Sequence, residues 1–375
     1  MTRVGVIGGG QLAWMMAKEA PTQKIILSVQ TPSSDDSAVS LADNVILAPI
    51  DSMEGTKKLA QKCDVITFEN EFVDLEALQT LAEKGVCFRP SLNSLAPLLD
   101  KYEQRCFLKS LGLPVPRFKN FERVEDLESF GFPLVLKVRR HGYDGQGTMI
   151  VKSAQELESA LKTLGNVPFL VEEFIPFECE LAVIVARGLD GMVCNYPVVE
   201  TFQQNQVCRW TIAPANVTIA QTEEVKRIAH KLLTALDYVG VMGIELFLGK
   251  NGQILVNETA PRTHNSGHYT LNGCITSQFA LQLQAVTGKP LGNLSFQKQG
   301  AIMVNLLGLN HPHPPYEEKL QKISTIEDAF IHWYEKTESR PGRKMGHITV
   351  LTNYDTITHA RAIVEQIEAI WYDLA

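Results

Sequence analysis

Val241-Met242-Gly243-Ile244-Glu245-Leu246-Phe247-Leu248, Gly249-Lys250-Asn251-Gly252, Gln253-Ile254-Leu255-Val256-Asn257-Glu258: two apolar runs flank an Asn-Gly pair, and each run carries one glutamate. Such a pair is a strong hairpin signal, because both residues of a two-residue turn must accept positive φ. With Asn251 and Gly252 as that loop, Lys250 faces Gln253, and counting back along both strands sets Glu245 across from Glu258. Directly opposed side chains have Cβ atoms about 4.5–5.5 Å apart, and like charges there are destabilising. A cation between them removes the repulsion. Mg²⁺ is the natural choice, since it takes one or two carboxylates and completes its shell with water and phosphate oxygens. Two solvated glutamates on an exposed face, or a register shifted by one residue, are the competing readings; the residues around the hairpin favour the metal.

The whole chain has 375 residues, 45% of them hydrophobic and 21% charged, which predicts a globular protein of two or three domains. A net charge of −7 argues against a nucleic-acid or membrane-surface binder, either of which needs a basic field. No apolar run approaches the roughly 20 residues of a membrane span. The first residues enter a strand directly and do not read as a signal peptide. Seven cysteines without Cys-x-x-Cys spacing fit reduced thiols, hence a cytoplasmic location, better than disulfides or a zinc site.

The first hundred residues alternate strands (4–7, 25–29, 45–47, 65–68) with helical patterns (12–20, 54–61, 75–83), which predicts a parallel sheet covered by helices. A helix over 102–111 stops at Gly112-Leu113-Pro114. Strands then dominate (134–139, 149–151, 169–173, 181–187, 193–199, 207–212). Helices are expected at 223–236 and from a capping box, Ser153 with Glu156, to 164. From about Leu291 the expectation is strands at 301–307, 331–335 and 347–351 and a last helix over 360–370.

Five further segments carry chemistry. Gly8-Gly9-Gly10-Gln11-Leu12-Ala13 fits a dinucleotide fingerprint, yet the second strand ends Gln30-Thr31 with no acid for a ribose, so a glycine turn holding another phosphate, or simply packing tightly, is preferred. Lys137 lies in an apolar strand before a loop with glycines at 142, 145 and 147, which is either suited to phosphates, without matching a Walker A loop, or an ordinary flexible hairpin. An apolar strand runs into Glu172-Glu173-Phe174-Ile175 and then Glu180, one edge of a nucleotide slot or a strand leaving the core. Arg262, His264, Asn265 and His268 follow Glu258 in a loop bracketed by Pro261 and Gly267, suited to gripping a small planar anion and too irregular for a helical zinc pair. Lys336 and Arg340-Pro341-Gly342-Arg343-Lys344 form a basic cluster, either a solvated turn or a phosphate clamp.

These parts in this order resemble the ATP-grasp superfamily and, within it, the family of carboxyaminoimidazole ribonucleotide synthases of purine biosynthesis, over nearly the whole chain. The resemblance is carried by Gly8–Leu12, Gly142-Tyr143-Asp144-Gly145, Ala260-Pro261-Arg262 with His264–His268, and Arg340–Lys344 with Gly346-His347. It implies an α/β and α+β ATP-grasp fold: a Rossmann-like pre-grasp domain over 1–100, the ATP-grasp domain over 101–290 and a small C-terminal domain over 291–375. It implies that ATP phosphorylates bicarbonate to carboxyphosphate and that the amine of 5-aminoimidazole ribonucleotide takes the carboxyl group. The ATP contacts it implies are Lys101, Lys137, Gly142, Tyr143, Asp144, Gly145, Gln146, Gly147, Thr148, Glu172, Glu173, Phe174, Ile175, Glu180, Gln203, Asn257 and Glu258. Glu245 and Glu258 would hold Mg²⁺ or Mn²⁺; Arg262, His264 and Asn265 would position bicarbonate. Gln11, Glu69, Tyr143, Lys336 and Arg343 would contact the ribonucleotide. A homodimer is implied, with no nucleic-acid or membrane partner. A formate-using ATP-grasp ligase is the alternative. The chain departs from the family at Ala13-Trp14, where glycine and arginine are common, and at Gln146, where a basic residue is common.

Overall fold

The computed structural model describes residues 1–123, 127, 129–140, 142, 147–310, 316–336, 338–353 and 357–373. Strands β1 (Thr2–Ile7), β2 (Ile25–Thr31), β3 (Asn44–Leu47) and β4 (Val65–Phe68) form the expected parallel sheet, in the order β3-β2-β1-β4. Both of its faces are apolar, as a parallel sheet under helices requires. Val4, Val6, Leu27 and Val29 pack with the helix Gln11–Glu19, while Ile7, Ile66 and Phe68 pack with Leu59, Leu78 and Leu81 from the other two helices.

A second sheet takes β5 (Phe118–Asn120), β6 (Leu134–Val138), β7 (Thr148–Val151) and β8 (Phe169–Glu173) in the antiparallel order β5-β8-β6-β7. The helix Ala154–Leu164 lies on it. Ser153 caps that helix by accepting from the Glu156 amide, but the Glu156 carboxylate accepts from the Lys152 amide, so only half of the expected capping box forms. The full box sits instead at Thr218 and Gln221, opening the helix Ile219–Ala235.

The third sheet has nine strands: β9 (Phe177–Arg187), β10 (Val193–Asn195), β11 (Val199–Gln204), β12 (Val207–Ala213), β13 (Gly240–Gly249), β14 (Ile254–Ala260), β15 (Gly300–Leu307), β16 (Ala329–Trp333) and β17 (Lys344–Thr352). They run β14-β13-β9-β11-β12-β15-β17-β16, with β10 also on β9. The single strand expected over 193–199 is two, because Tyr196 turns inward to bond the Thr276 carbonyl and Pro197 offers no amide. No helix among the described residues is long and apolar enough to cross a membrane.

The hairpin of β13 and β14 is present and Glu245 does face Glu258, but not by the expected route. Leu248 pairs with Ile254, not Leu255, and Gly249 closes on Gln253, so the loop has three residues and only Gly252, at φ 79°, is left-handed. The register is therefore one residue off near the turn. A β-bulge between Glu245 and Leu246, with Asn257 as the extra residue, restores it at the glutamates.

Beneath the C-terminal strands lie stacked imidazoles. His332 and His347 rings are 4.6 Å apart and nearly parallel, His268 is 5.0 Å from His347, and the Tyr334 hydroxyl meets His347 Nδ1 at 2.7 Å. Burial pushes all three histidines down, His332 to about 4. In an unfolded chain these rings bind a proton near pH 6.5, whereas the folded protein keeps them neutral. Below that pH the unfolded state takes up more protons, so stability falls between pH 6.5 and 4, on the order of 1 kcal/mol per pH unit for each group. Glu69, Glu180 and Glu245, which burial raises to about 7, titrate in the opposite sense, so the histidine contribution is read by difference: relative to the unsubstituted chain, His332→Gln should raise the urea midpoint at pH 5 more than at pH 7. Gly252→Ala should cost roughly 1–2 kcal/mol in the same assay at pH 7, because alanine disfavours the left-handed region; an unchanged midpoint would mean the turn reshapes freely.

Candidate active site

The bulge gathers the first cluster. Asn257 donates to Glu245 Oε2 at 3.5 Å and accepts from Lys137 Nζ at 2.9 Å, while Lys101 forms an ion pair with Glu258. Lys137 also pairs with Glu172 at 2.8 Å, and Arg105 closes the group from behind. Its Nε bonds Glu172, Nη1 donates to the Val256 carbonyl at 3.2 Å and Nη2 to that of Asn257, so one buried guanidinium holds both the bulge and the acid that holds Lys137.

The charges follow from these partners. Burial pushes Glu245 up to about 7, helped by the Glu258 charge opposite. Burial acts on Glu258 too, but Lys101 and Lys137 outweigh it and keep that carboxyl below its ordinary value. Glu172, buried between Arg105 and Lys137, is held down at about 2. Glu180 rises to about 7 through burial and the Glu245 charge, with the Gln203 amide donating to it. Lys137 is lowered by burial. Among the described residues, no group of three or more His, Cys, Asp or Glu is arranged to hold a metal alone. A two-carboxylate site of this kind suits an ion that arrives with phosphates.

Glu172, read from sequence as lining an adenine slot, is 2% exposed with both oxygens engaged by cations. Glu173 accepts from the Arg117 amide at 2.6 Å, and Phe174 and Ile175 follow half-buried. In the glycine loop, Gly147 has φ 85°, and an added Cβ would lie 2.9 Å from Val138 and 3.6 Å from Gly142 Cα, so the two ends close tightly. Thr148 pairs with Lys137 across the ladder. Tyr143, Asp144, Gly145 and Gln146 lie outside the described residues.

The second cluster adjoins the first. A Cβ on Gly243 would sit 2.5 Å from His264 Cβ, so only glycine lets His264 lie across β13 and bring Nε2 to 3.5 Å from Glu245. Nδ1 of His264 meets Ser266 Oγ at 2.9 Å. Arg262 makes a bidentate pair with Glu71, at 2.6 and 3.1 Å. The Asn265 amide is paired reciprocally with the buried Asn305, at 2.7 and 3.0 Å.

The third cluster lies at the glycine turn. A Cβ on Gly8 or Gly10 would strike Glu69, at 2.5 and 2.6 Å, and Gly8 has φ 116°. Burial raises Glu69 to about 7 against the nearby Arg262 charge. Gln11 accepts from Lys336 Nζ at 2.8 Å, and Lys336 also donates to the Lys344 carbonyl at 2.7 Å. Arg343 donates to the Glu338 carbonyl at 2.9 Å, nearer the surface. Trp14 packs edge-on against Tyr334 with Lys18 over its ring at 3.6 Å, which gives the Ala13-Trp14 departure a packing role. Gln30 turns inward to the Pro49 carbonyl and Thr56, while the Thr31 hydroxyl that ends β2 donates to Asp36.

Sequence reading missed Arg105, Glu71 and Asn305. A signal existed for the first: Gln104 and Arg105 share a helix stripe with the buried Leu108, and a charge on an apolar stripe demands a partner.

Three family models match successive parts of the chain. Residues 1–97 match the ribonucleotide synthetase preATP-grasp domain, 106–279 the ATP-grasp domain and 301–361 the phosphoribosylaminoimidazole carboxylase C-terminal domain. An N5-carboxyaminoimidazole ribonucleotide synthase of Synechococcus elongatus is 52% identical over 98% of this chain and 95% of its own. Two crystal structures of the Aspergillus clavatus synthase are each 33% identical and cover 100% of this chain and 99% of theirs. One is a complex with ATP, at TM-score 0.93, and the other holds ADP and 5-aminoimidazole ribonucleotide, at TM-score 0.91. Identity and coverage of this extent make the chain a member of the N5-carboxyaminoimidazole ribonucleotide synthase family of ATP-grasp ligases.

Proposed function

We propose that the chain carries out ATP- and bicarbonate-dependent carboxylation of the amine of 5-aminoimidazole ribonucleotide, releasing ADP and phosphate. The observation that carries this reading is the rung Glu245–Glu258 with Lys101, Lys137, Asn257 and His264 around it. Two opposed carboxylates, one of them raised to about 7, fit a divalent cation, which would relieve their repulsion. Mg²⁺, or Mn²⁺, when bound there supplies neutralisation of phosphate charge. Lys101, Lys137, Gly142, Gly147 and Thr148 are the proposed phosphate contacts, joined by Tyr143–Gln146. Glu173, Phe174 and Ile175 line the adenine side, with Glu172 acting through Lys137; Glu180 and Gln203 take the ribose.

Arg262 and His264 grip bicarbonate, and Asn265 contributes through its hold on Asn305. Phosphoryl transfer depends chiefly on positioning and charge neutralisation, so these residues are the equipment it needs. The proposed carboxyphosphate hydrolyses readily, which is why acceptor contacts at Gln11, Glu69, Tyr143, Lys336 and Arg343 belong close by. The units proposed are 1–100, 101–290 and 291–375, in a cytoplasmic homodimer.

ADP release measured with and without the aminoimidazole ribonucleotide and bicarbonate tests the reading, with stimulation by both expected. A nucleotide-binding regulator would show none. Arg262→Ala should lower turnover on the order of 10²–10³-fold, the scale for losing a donor to transition-state charge, while ATP affinity holds. Equal losses in ATP binding and turnover would reject the bicarbonate role.

A further inference from the structure

Strands β11 and β12 are joined by a two-residue turn, Asn205-Gln206, since Gln204 pairs with Val207. Both turn residues are left-handed, at φ 52° and 63°. That is the demand of a type I′ turn, whose second position strongly favours glycine. Glutamine there is a strained choice, and backbone strain of this kind persists where the surroundings hold it in place. The Gln206 side chain reaches out of the nine-stranded sheet and Nε2 donates to the Thr148 carbonyl at 2.9 Å. Thr148 opens β7, the edge strand of the second sheet, and faces Lys137 across the ladder. Three residues before Gln206, the Gln203 amide donates to Glu180. Among the described residues the buried Gln206 Oε1 has no hydrogen-bond partner, so burial of this side chain is unfavourable apart from what Nε2 gains.

We propose that Gln206 is a positioning residue for ATP cleavage: it ties the strand pair that carries Lys137 to the sheet that carries Glu245 and Glu258. Lys137 is held to Asn257 on one side, and the Gln206–Thr148 bond is a second tie between the same two sheets. Two separated ties resist sliding of one sheet on the other, and in phosphoryl transfer small misplacements of a charged group reduce rate. The inference rests on the ATP-ligase reading of the site.

Gln206→Gly and Gln206→Asn separate the roles. Glycine relaxes the turn and removes the tie; asparagine is too short to reach Thr148. In Gln206→Gly the urea midpoint should stay or rise. In both variants KM for ATP should rise or kcat for ribonucleotide-dependent ADP release fall, about two- to tenfold in kcat/KM, the worth of one net hydrogen bond. KM for the ribonucleotide should not move. Wild-type kinetics in both variants overturn the proposal, as does a stability loss in Gln206→Gly accompanying its loss of rate. Wild-type protein that releases no ADP with ribonucleotide and bicarbonate overturns the ligase reading, and the proposal falls with it.

Discussion

Two carboxylates facing each other across one rung of a β-ladder constrain everything around them. Glu245 and Glu258 sit where like charges repel, and each neighbour answers that repulsion. Lys101 pairs with Glu258, Asn257 donates to Glu245, Lys137 donates to Asn257, and His264 Nε2 stands 3.5 Å from Glu245. Without these, burial would push both acids toward the neutral form; with them, only Glu245 rises, to about 7, and Glu258 stays low. The asymmetry follows from where the cations lie, since Lys101 bonds Glu258 directly while Glu245 is left facing the Glu258 charge.

The rung itself depends on a bulge, and the bulge on Arg105. An extra residue on one strand is a local defect unless its freed backbone groups find partners. Arg105 supplies two of them, at the Val256 and Asn257 carbonyls, and its third nitrogen bonds Glu172, which pairs with Lys137. The residue is 2% exposed. Breaking such a buried charge network by removing one partner is strongly destabilising, since it leaves an uncompensated charge. Fold and site are thus maintained by the same group.

Glycines extend the arrangement across domains by absence of bulk. Gly243 admits His264 over β13, and Gly8 and Gly10 admit Glu69 against the first helix turn. Contacts of very long range become direct as a result: Arg262 grips Glu71 from 191 residues away, and Lys336 meets Gln11 across 325. Three clusters of different chain origin, around the Glu245–Glu258 rung, around Arg262 and His264, and around Glu69 at the glycine turn, are therefore adjacent.

Alternation of strands and helices, the two-residue period of β13 and β14, and the facing of Glu245 and Glu258 were all readable in the chain, because they follow from side-chain type and short-range spacing. Even there, the facing was reached through a turn one residue too short, with the bulge compensating. Asn-Gly announces a reversal but does not fix its length, since a three-residue loop needs only Gly252 left-handed. Whether Glu172 turned to an adenine or to Lys137, whether Arg105 lay in water or under the bulge, and where His268, His332 and His347 stacked were decided by tertiary structure alone. A buried charge takes whichever partner the packing of other elements brings within about 3 Å, and no local pattern encodes that distance.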